Sequence, residues 1–432
     1  MVFSASSCSV SFKDTLARNA GNIPAGLTQN TPSPPGSLVS TYGSTGKSVL
    51  AIAGSSAVNV YNSKLQADGK LVLVGSVKMT GSLDWLTARL NTDGSFDTSF
   101  NGTGYSIYSY GSSDDELIGI DIQSDGKILT AGIGSSSHSD ITTARWNSDG
   151  TLDTTFNGTG IAVKTDPSWY NGGYTVKVQS DGKILVGGYL YTGGYKDIVL
   201  RYNTDGTPDT TFNSTGVVLF NTGTGSAYVQ DISIQSDGKI MLAGGSKISG
   251  YYQAGLARLN ADGTFDTSFD GDGKKEITIS TGADAQLDRV EVLSNGKILS
   301  SGRTSNGSNS DGILFQLNSD GSMDSGFGSS GIVTFDSGGD DAFMHFAIDS
   351  NGRIIVAGRT PGAGSFSDGL IWRFNSNGSI DTSFGTSGHI NLSMSGYASD
   401  ILSPQILSDG KIWAVGSAIP SDGAVFSALI WP

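Results

Sequence analysis

The sequence predicts an all-β chain closed as a seven-bladed β-propeller, with four antiparallel strands per blade and an N-terminal extension. Three observations carry this: a hairpin turn repeated seven times, a second repeated segment that follows it, and four strand-like runs in each repeat. Asp-Gly-Lys or a close variant opens at Asp68, Asp125, Asp181, Asp237, Asn295, Asn351 and Asp409, with gaps of 57, 56, 56, 58, 56 and 58 residues. One unit reused at that period means a propeller, solenoid or array.

The third unit shows the four runs. GIAVKTD (Gly160 to Asp166) is short and mixed. GYTVKVQ (Gly173 to Gln179) alternates, with Tyr174, Val176 and Val178 on one face and Thr175, Lys177 and Gln179 on the other, the period of a half-buried strand. Asp-Gly then predicts a tight hairpin of type I′, with both central residues at positive φ. Asn295 and Asn351 keep the same turn chemistry. KILVGGYL (Lys183 to Leu190) is apolar on both faces, as in an interior strand. DIVLRYN (Asp197 to Asn203) is the fourth run.

The second segment reads NTDGSFDTSFNGTG from Asn91 and recurs from Asn147, Asn203, Asn260, Asn318 and Asn375. It occurs six times and not after the seventh unit, so it is read as the linker between units, pinned by a buried aromatic (Phe100, Phe156, Phe212, Phe269, Phe327, Phe384). Four-stranded units repeated radially make a propeller. An open β-solenoid fits less well, because its coils are shorter and lack internal hairpins. SVLAIAG (Ser48 to Gly54) is expected to join the sheet of the last run, FSALIWP (Phe426 to Pro432), so that one blade is built from both ends and no sheet edge stays open.

The pair IQSDGKILxAG and xARLNxDGxxDTSF resembles the delta-sixty repeat, a bacterial β-propeller repeat, in seven copies from Gly46 onward. The resemblance implies a seven-bladed propeller, often within large secreted or surface proteins, and no particular reaction. Two positions depart from the pattern. Gln316 stands where other copies have Arg89, Arg145, Arg201, Arg258 or Arg373, and Arg353 replaces the turn lysine.

The repeats divide the 432 residues into an N-terminal arm or linker (1–45) and the propeller (46–432). The arm is rich in Ser, Thr, Asn and Pro, and MVFSASSCSVSF lacks the basic and apolar regions of a signal peptide. A net charge of −14 repels phosphate backbones and anionic membrane surfaces. No apolar run is long enough to insert in a membrane. One cysteine, Cys8, allows no internal disulfide. This composition suits a virion, extracellular or cell-surface protein, whose partners are assembly subunits or a cell-surface glycan and not nucleic acid.

Candidate chemistry is sparse. His138, His345 and His389 sit at unrelated repeat positions, without the partner motif a triad requires, and read as surface or packed histidines. Asp114, Asp115 and Glu116, and Asp340 with Asp341, form unrepeated clusters before second strands, so Asp115 and Asp341 are the candidate acids of a glycosidase-like pair. Asn-x-Asp-Gly-x-x-Asp has the oxygen spacing of a calcium loop, with Asp93, Asp97 and their copies as ligands, but lacks the bidentate Glu. Local turn bonding explains the pattern equally well, so no cofactor other than this calcium is expected. Trp169, Tyr170, Tyr191, Tyr195 and Tyr251 crowd unrepeated loops and are contact residues or sugar platforms. Two function classes follow. One is a non-enzymatic structural or adhesion propeller, as in a bacteriophage tail or capsid-decorating component held by its N-terminal arm. The other is a carbohydrate-active enzyme or lectin using these acids and aromatics.

Overall fold

The computed structural model describes residues 33–432 except 136–137, 166–169, 249, 280–282, 306, 363–366, 393–397 and 420–423. The body from Pro34 to Pro432 is a ring of seven sheets, each of four antiparallel strands. Blades 1 to 7 are counted from their inner strands: Ala57–Leu65, Glu116–Ile122, Asn171–Val178, Ala227–Ile234, Ala285–Val292, Ala342–Ile348 and Ala398–Ile406. Each inner strand touches those of the blades before and after it, and that of blade 7 touches that of blade 1.

The ends of the chain close the ring as expected. Lys47–Leu50 pairs antiparallel with Ala424–Ile430 as the outer strand of blade 7. The residues before it are tied to the same blade. Gly36 N donates to Trp431 O at 2.9 Å and Val39 N to Leu429 O at 2.8 Å. Tyr42 Oη accepts from Trp413 Nε1 at 2.7 Å.

Two local expectations are corrected. First, the short run Ile161–Lys164 pairs with Ser139–Trp146 and is the outer strand of blade 2, not the start of blade 3. The repeated segment from Asn91 therefore joins the third and fourth strands within a blade. It still bridges neighbours, because Asn101 N donates to Asp149 O of the next blade at 2.7 Å and Phe100 is fully buried. Second, the Asp-Gly turn is not type I′. Gly69 alone takes positive φ (82°). Gly69 N donates to Gln66 O, Gln66 N donates to Lys70 O, and Asp68 Oδ1 accepts the Lys70 amide at 3.1 Å. This is a three-residue loop ending in a left-handed glycine.

Each inner strand carries a β-bulge at the same place, between Val60 and Asn62 in blade 1 and between Gly173 and Thr175 in blade 3. The bulge explains a repeated glycine on the second strand: a Cβ on Gly75 would strike the carbonyl oxygen of Asn59. The second strand of blade 3 is buried along almost its whole length, as its two-sided apolar pattern predicted. The core is divided among seven clusters, one at each interface between adjacent blades. Burial between sheets is the dominant stabilising term, so every blade depends on both neighbours.

Candidate functional site

The two ends of the ring differ in chemistry. The Asp-Gly turns and the repeated segments lie at one end, here the turn end. The loops between second and third strands, and those between blades, lie at the other, the loop end.

At the turn end, Asp97 is the hub of its repeat. Its Oδ2 receives Lys70 Nζ at 2.8 Å and Arg89 Nε at 2.6 Å, and its Oδ1 accepts the Ser99 amide and hydroxyl. Burial alone would raise this carboxyl. The bonds from Lys70, Ser99 and Arg89 outweigh burial and hold it well below the usual carboxylate range. Arg89 also donates to Ser148 O of the next blade and lies 4.9 Å from the centre of the Phe100 ring. The same pairing recurs as Lys127–Asp153–Arg145, Lys183–Asp209–Arg201 and Lys239–Asp266–Arg258. Asp93 Oδ1 accepts the Ser95 amide and hydroxyl. Asp97 thus spends both oxygens locally, and Asp93 spends its Oδ1. Among the described residues, no group of three or more His, Cys, Asp or Glu is placed to hold a metal ion.

At the loop end, the two candidate acids are sunk. Asp115 is fully buried and accepts the amides of Tyr110, Gly111 and Ser135 at 2.9, 3.0 and 2.6 Å. Asp341 is 1 % exposed and accepts the amide and hydroxyl of Ser337. They belong to blades 2 and 6, which are not neighbours, and the structure does not bring them together. Each pins its own loop. Their neighbours Asp114 and Asp340 accept the amides of Leu83 and Ser310 in the preceding blade.

The aromatics divide. Trp169 lies outside the described residues. Tyr170 and Tyr251 are 58 % and 46 % exposed. Tyr191 packs edge-on against Tyr195 at 5.1 Å. Tyr195 lines a pocket of about 220 Å³ with Tyr174, Tyr189, Tyr228 and Tyr252. Their rings run as a contiguous series: Tyr195–Tyr189 at 5.5 Å, Tyr189–Tyr174 at 5.3 Å, Tyr174–Tyr228 at 6.0 Å and Tyr228–Tyr252 at 5.9 Å. Burial raises the Tyr174 and Tyr228 hydroxyls far above their ordinary pKa, so both stay neutral.

Sequence reasoning missed the channel. A cavity of about 140 Å³ on the ring axis is lined by all seven inner strands. The bulged residue of each strand contributes: Tyr61, Ile118, Tyr174, Gln230, Asp288, Met344 and Leu402. The signal was present, since each stands seven residues before the turn Asp or Asn. No two adjacent blades carry the same residue there. Burial pushes Asp288 up to about 6, against the pull of Arg303 and Arg359, and its Oδ2 has no hydrogen-bond partner. Asp231, one strand away, behaves oppositely. Burial would raise it, but Lys177 and Arg289 bring it down to about 2. Desolvation pulls His345 down to about 3, with Arg289 adding to it, so this histidine is neutral at physiological pH. A second cavity of about 220 Å³ continues toward the turn end, sharing Asn62 and His345 with the first.

Six stretches of the chain match the family model described as a domain of unknown function (DUF5122) beta-propeller: residues 66–100, 123–156, 179–212, 235–269, 293–327 and 350–384. These six stretches support a β-propeller repeat family for the chain. Each match runs from the turn through the buried aromatic, so the seventh unit, which lacks the second segment, is the one unmatched. No curated protein matches the chain. Among solved structures, this propeller is similar to a catalytically inactive virginiamycin B lyase from Staphylococcus aureus with quinupristin. Identity is 10 %, the TM-score is 0.51, and the match covers 89 % of this chain and 99 % of that one. It is also similar to a streptogramin B lyase, at 12 % identity and a TM-score of 0.50, over 89 % of this chain and 97 % of that one. At such identities the likeness concerns the fold, which does not carry function with it. Among the described residues, no helix of this propeller is long and apolar enough to cross a membrane.

Proposed function

We propose that this delta-sixty-type propeller is a non-enzymatic binding protein whose tyrosine pocket takes a glycan. The residues before Pro34 attach it to a larger assembly at a virion or cell surface. One observation carries the reading. Five tyrosines from two neighbouring blades converge on one pocket, whereas Asp115 and Asp341 are consumed by their own loops in separate blades. Tyrosine offers a flat apolar face for sugar C–H groups and a hydroxyl for hydrogen bonding. Pockets of this kind, apolar with a few convergent polar groups, are the usual form of a small-ligand site. The test is a glycan array followed by titration of the hits. Tyr195→Ala and Tyr252→Ala should each weaken the best hit tenfold or more while leaving the fold intact. Unchanged affinity in both variants would remove the pocket from the reading. Immunogold electron microscopy of native particles and cells tests the attachment, and label on neither would remove that part.

Hydrolysis is the second reading, and one observation favours it. Asp231 and Asp288 line one cavity and are shifted in opposite directions, the pattern of an acid paired with an ionised carboxylate. It ranks lower because Asp231 has spent its oxygens on Thr175, Lys177 and Val290. Product release from bacterial polysaccharide that disappears in Asp288→Asn would reverse the ranking.

A further inference from the structure

We propose that the part of the central channel nearer the turn end is an oxyanion site, in which Lys64, Lys177 and Arg289 hold a carboxylate or phosphate group of a small ligand. The three cations come from blades 1, 3 and 5 and line one cavity of about 220 Å³. That volume lies below the ~300 Å³ at which drug-sized sites begin, so the ligand is small.

The argument is an inventory of donors and acceptors. Lys64 lies 2.9 Å from Asp121, and Lys177 lies 3.2 Å from Asp231. Both carboxylates are also satisfied from behind by the backbone. Asp121 accepts the amides of Ile122 and Val178 at 3.0 and 2.9 Å. Asp231 accepts the Thr175 hydroxyl at 3.0 Å and the Val290 amide at 3.2 Å. Asp121 and Asp231 are therefore near saturation, and Glu291, the carboxylate that lines the cavity itself, comes no nearer than 3.6 Å to Arg289. The donors are not saturated. Each ammonium has three N–H groups and the guanidinium has five.

Arg289 is the clearest case. Its terminal nitrogens come no nearer than 3.6 Å to the carboxylates of Asp231 and Glu291, and its Nε is buried with no partner. Contrast Arg89 at the turn end, which meets its aspartate at 2.6 Å. The Arg289 side chain is 26 % exposed, but a buried N–H left without a hydrogen bond, as at its Nε, is costly, and a planar fork is suited to binding an oxyanion through two parallel bonds. Overall charge does not explain the cluster, because the protein as a whole repels anions at −14. His345 faces the same cavity and adds a neutral imidazole donor. This site does not rest on the glycan reading, since the tyrosine pocket is a separate cavity lined by other residues.

The test is calorimetric titration of the full chain with glucuronate, inorganic phosphate and glucose, for wild type, Arg289→Gln and Lys64→Met. Melting curves for each protein check that it is folded. Wild type should bind at least one of the two anions at one site per chain, and glucose not at all. Arg289→Gln should weaken that binding tenfold or more and Lys64→Met about threefold or more. Glucuronate binding the tighter marks a sugar acid as the ligand class, and phosphate the tighter marks a phosphoryl group. No anion binding at millimolar concentration would overturn the proposal, as would glucose binding equally well or full affinity in Arg289→Gln. If Arg289→Gln fails to fold, Lys64→Met decides the matter, because Lys64 lies at the exposed edge of the cluster (44 % exposed). Wild-type affinity in that variant then counts against the site.

Discussion

The turn end of the ring and its channel use the same kinds of side chain to opposite effect. At the turn end, Arg201 meets Asp209 at 2.6 Å, Lys183 meets it at 2.9 Å, and Arg201 covers Phe212 at 4.4 Å. Blades 1, 2 and 4 repeat the arrangement. In the channel, Arg289 stands 3.6 Å from two carboxylates without a hydrogen bond, and Asp288 keeps a bare oxygen. The recurring Lys–Asp–Arg groups are satisfied and stabilise each blade on its neighbour, although the recurring turn glutamines Gln66, Gln123, Gln179 and Gln235 each keep a buried Oε1 without a partner. In the channel, side chains that differ from blade to blade at one register are left with unspent valence. In a repeat protein the departure from the repeat marks the site.

The largest effect expected from breaking the repeated side is loss of the buried aromatic. Phe212→Ala should cost about 3–5 kcal/mol in denaturant unfolding. Asp209→Ala comes next, at about 3 kcal/mol, because it strands Arg201 and Lys183 together. Blade 5 sharpens that comparison. Gln316 replaces the arginine there, leaving Asp324 with Lys297 at 2.6 Å and the Gly326 amide at 3.2 Å, so Asp324→Ala should cost about 1 kcal/mol or less. Equal costs for the two aspartates would mean that the arginine adds nothing.

pH separates the repeated aspartates from Asp288 as well. The aspartates of the repeated segment, shifted down, contribute stability that is present above about pH 4 and lost as pH falls through their folded values. Asp288 in the channel, and Asp197 on the third strand of blade 3 outside it, are shifted up by burial, to about 6 and about 7. Their sign is reversed. Below pH 4 they are protonated in both states, and stability falls as pH rises from there through 6 and 7. Asp288→Asn should therefore be more stable than wild type at pH 8, by about 3 kcal/mol at most, with the gap closing toward pH 4. A gap that does not change with pH would contradict the assignment. The smallest effect belongs to the loop end: Tyr195→Ala should change stability by under about 1 kcal/mol while removing ligand binding.

Much of the fold was legible because turn chemistry repeats. Asp68, Gly69 and their copies gave the period, the period gave seven blades, and the spare run from Ser48 to Gly54, whose strand is Lys47–Leu50, gave the closure. The turn type was misread because the sequence Asp-Gly does not reveal that a third residue, Ala67, belongs to the loop. The blade boundary was misread because Ile161–Lys164 follows the repeated segment in sequence but pairs backward. The site was legible only in part. Tyr195 was flagged as an aromatic in a loop, and it does line the tyrosine pocket. Asp115 and Asp341 were flagged as unrepeated acids, yet they serve as loop pins, a role that sequence does not distinguish from catalysis. The channel stayed hidden because of the bulge. Alternation placed Tyr174 on the face opposite Thr175, but the extra residue breaks the alternation and both line the axial cavity.

Binding and melting measured side by side on Asp209→Ala and Tyr195→Ala, against the strongest glycan-array ligand, test the division of labour most directly. Asp209→Ala should melt well below wild type yet bind normally per folded molecule, and Tyr195→Ala should melt like wild type and fail to bind. Tyr195→Ala retaining full affinity, or folded Asp209→Ala losing it, would show that the repeated and unrepeated side chains do not divide the work in this way.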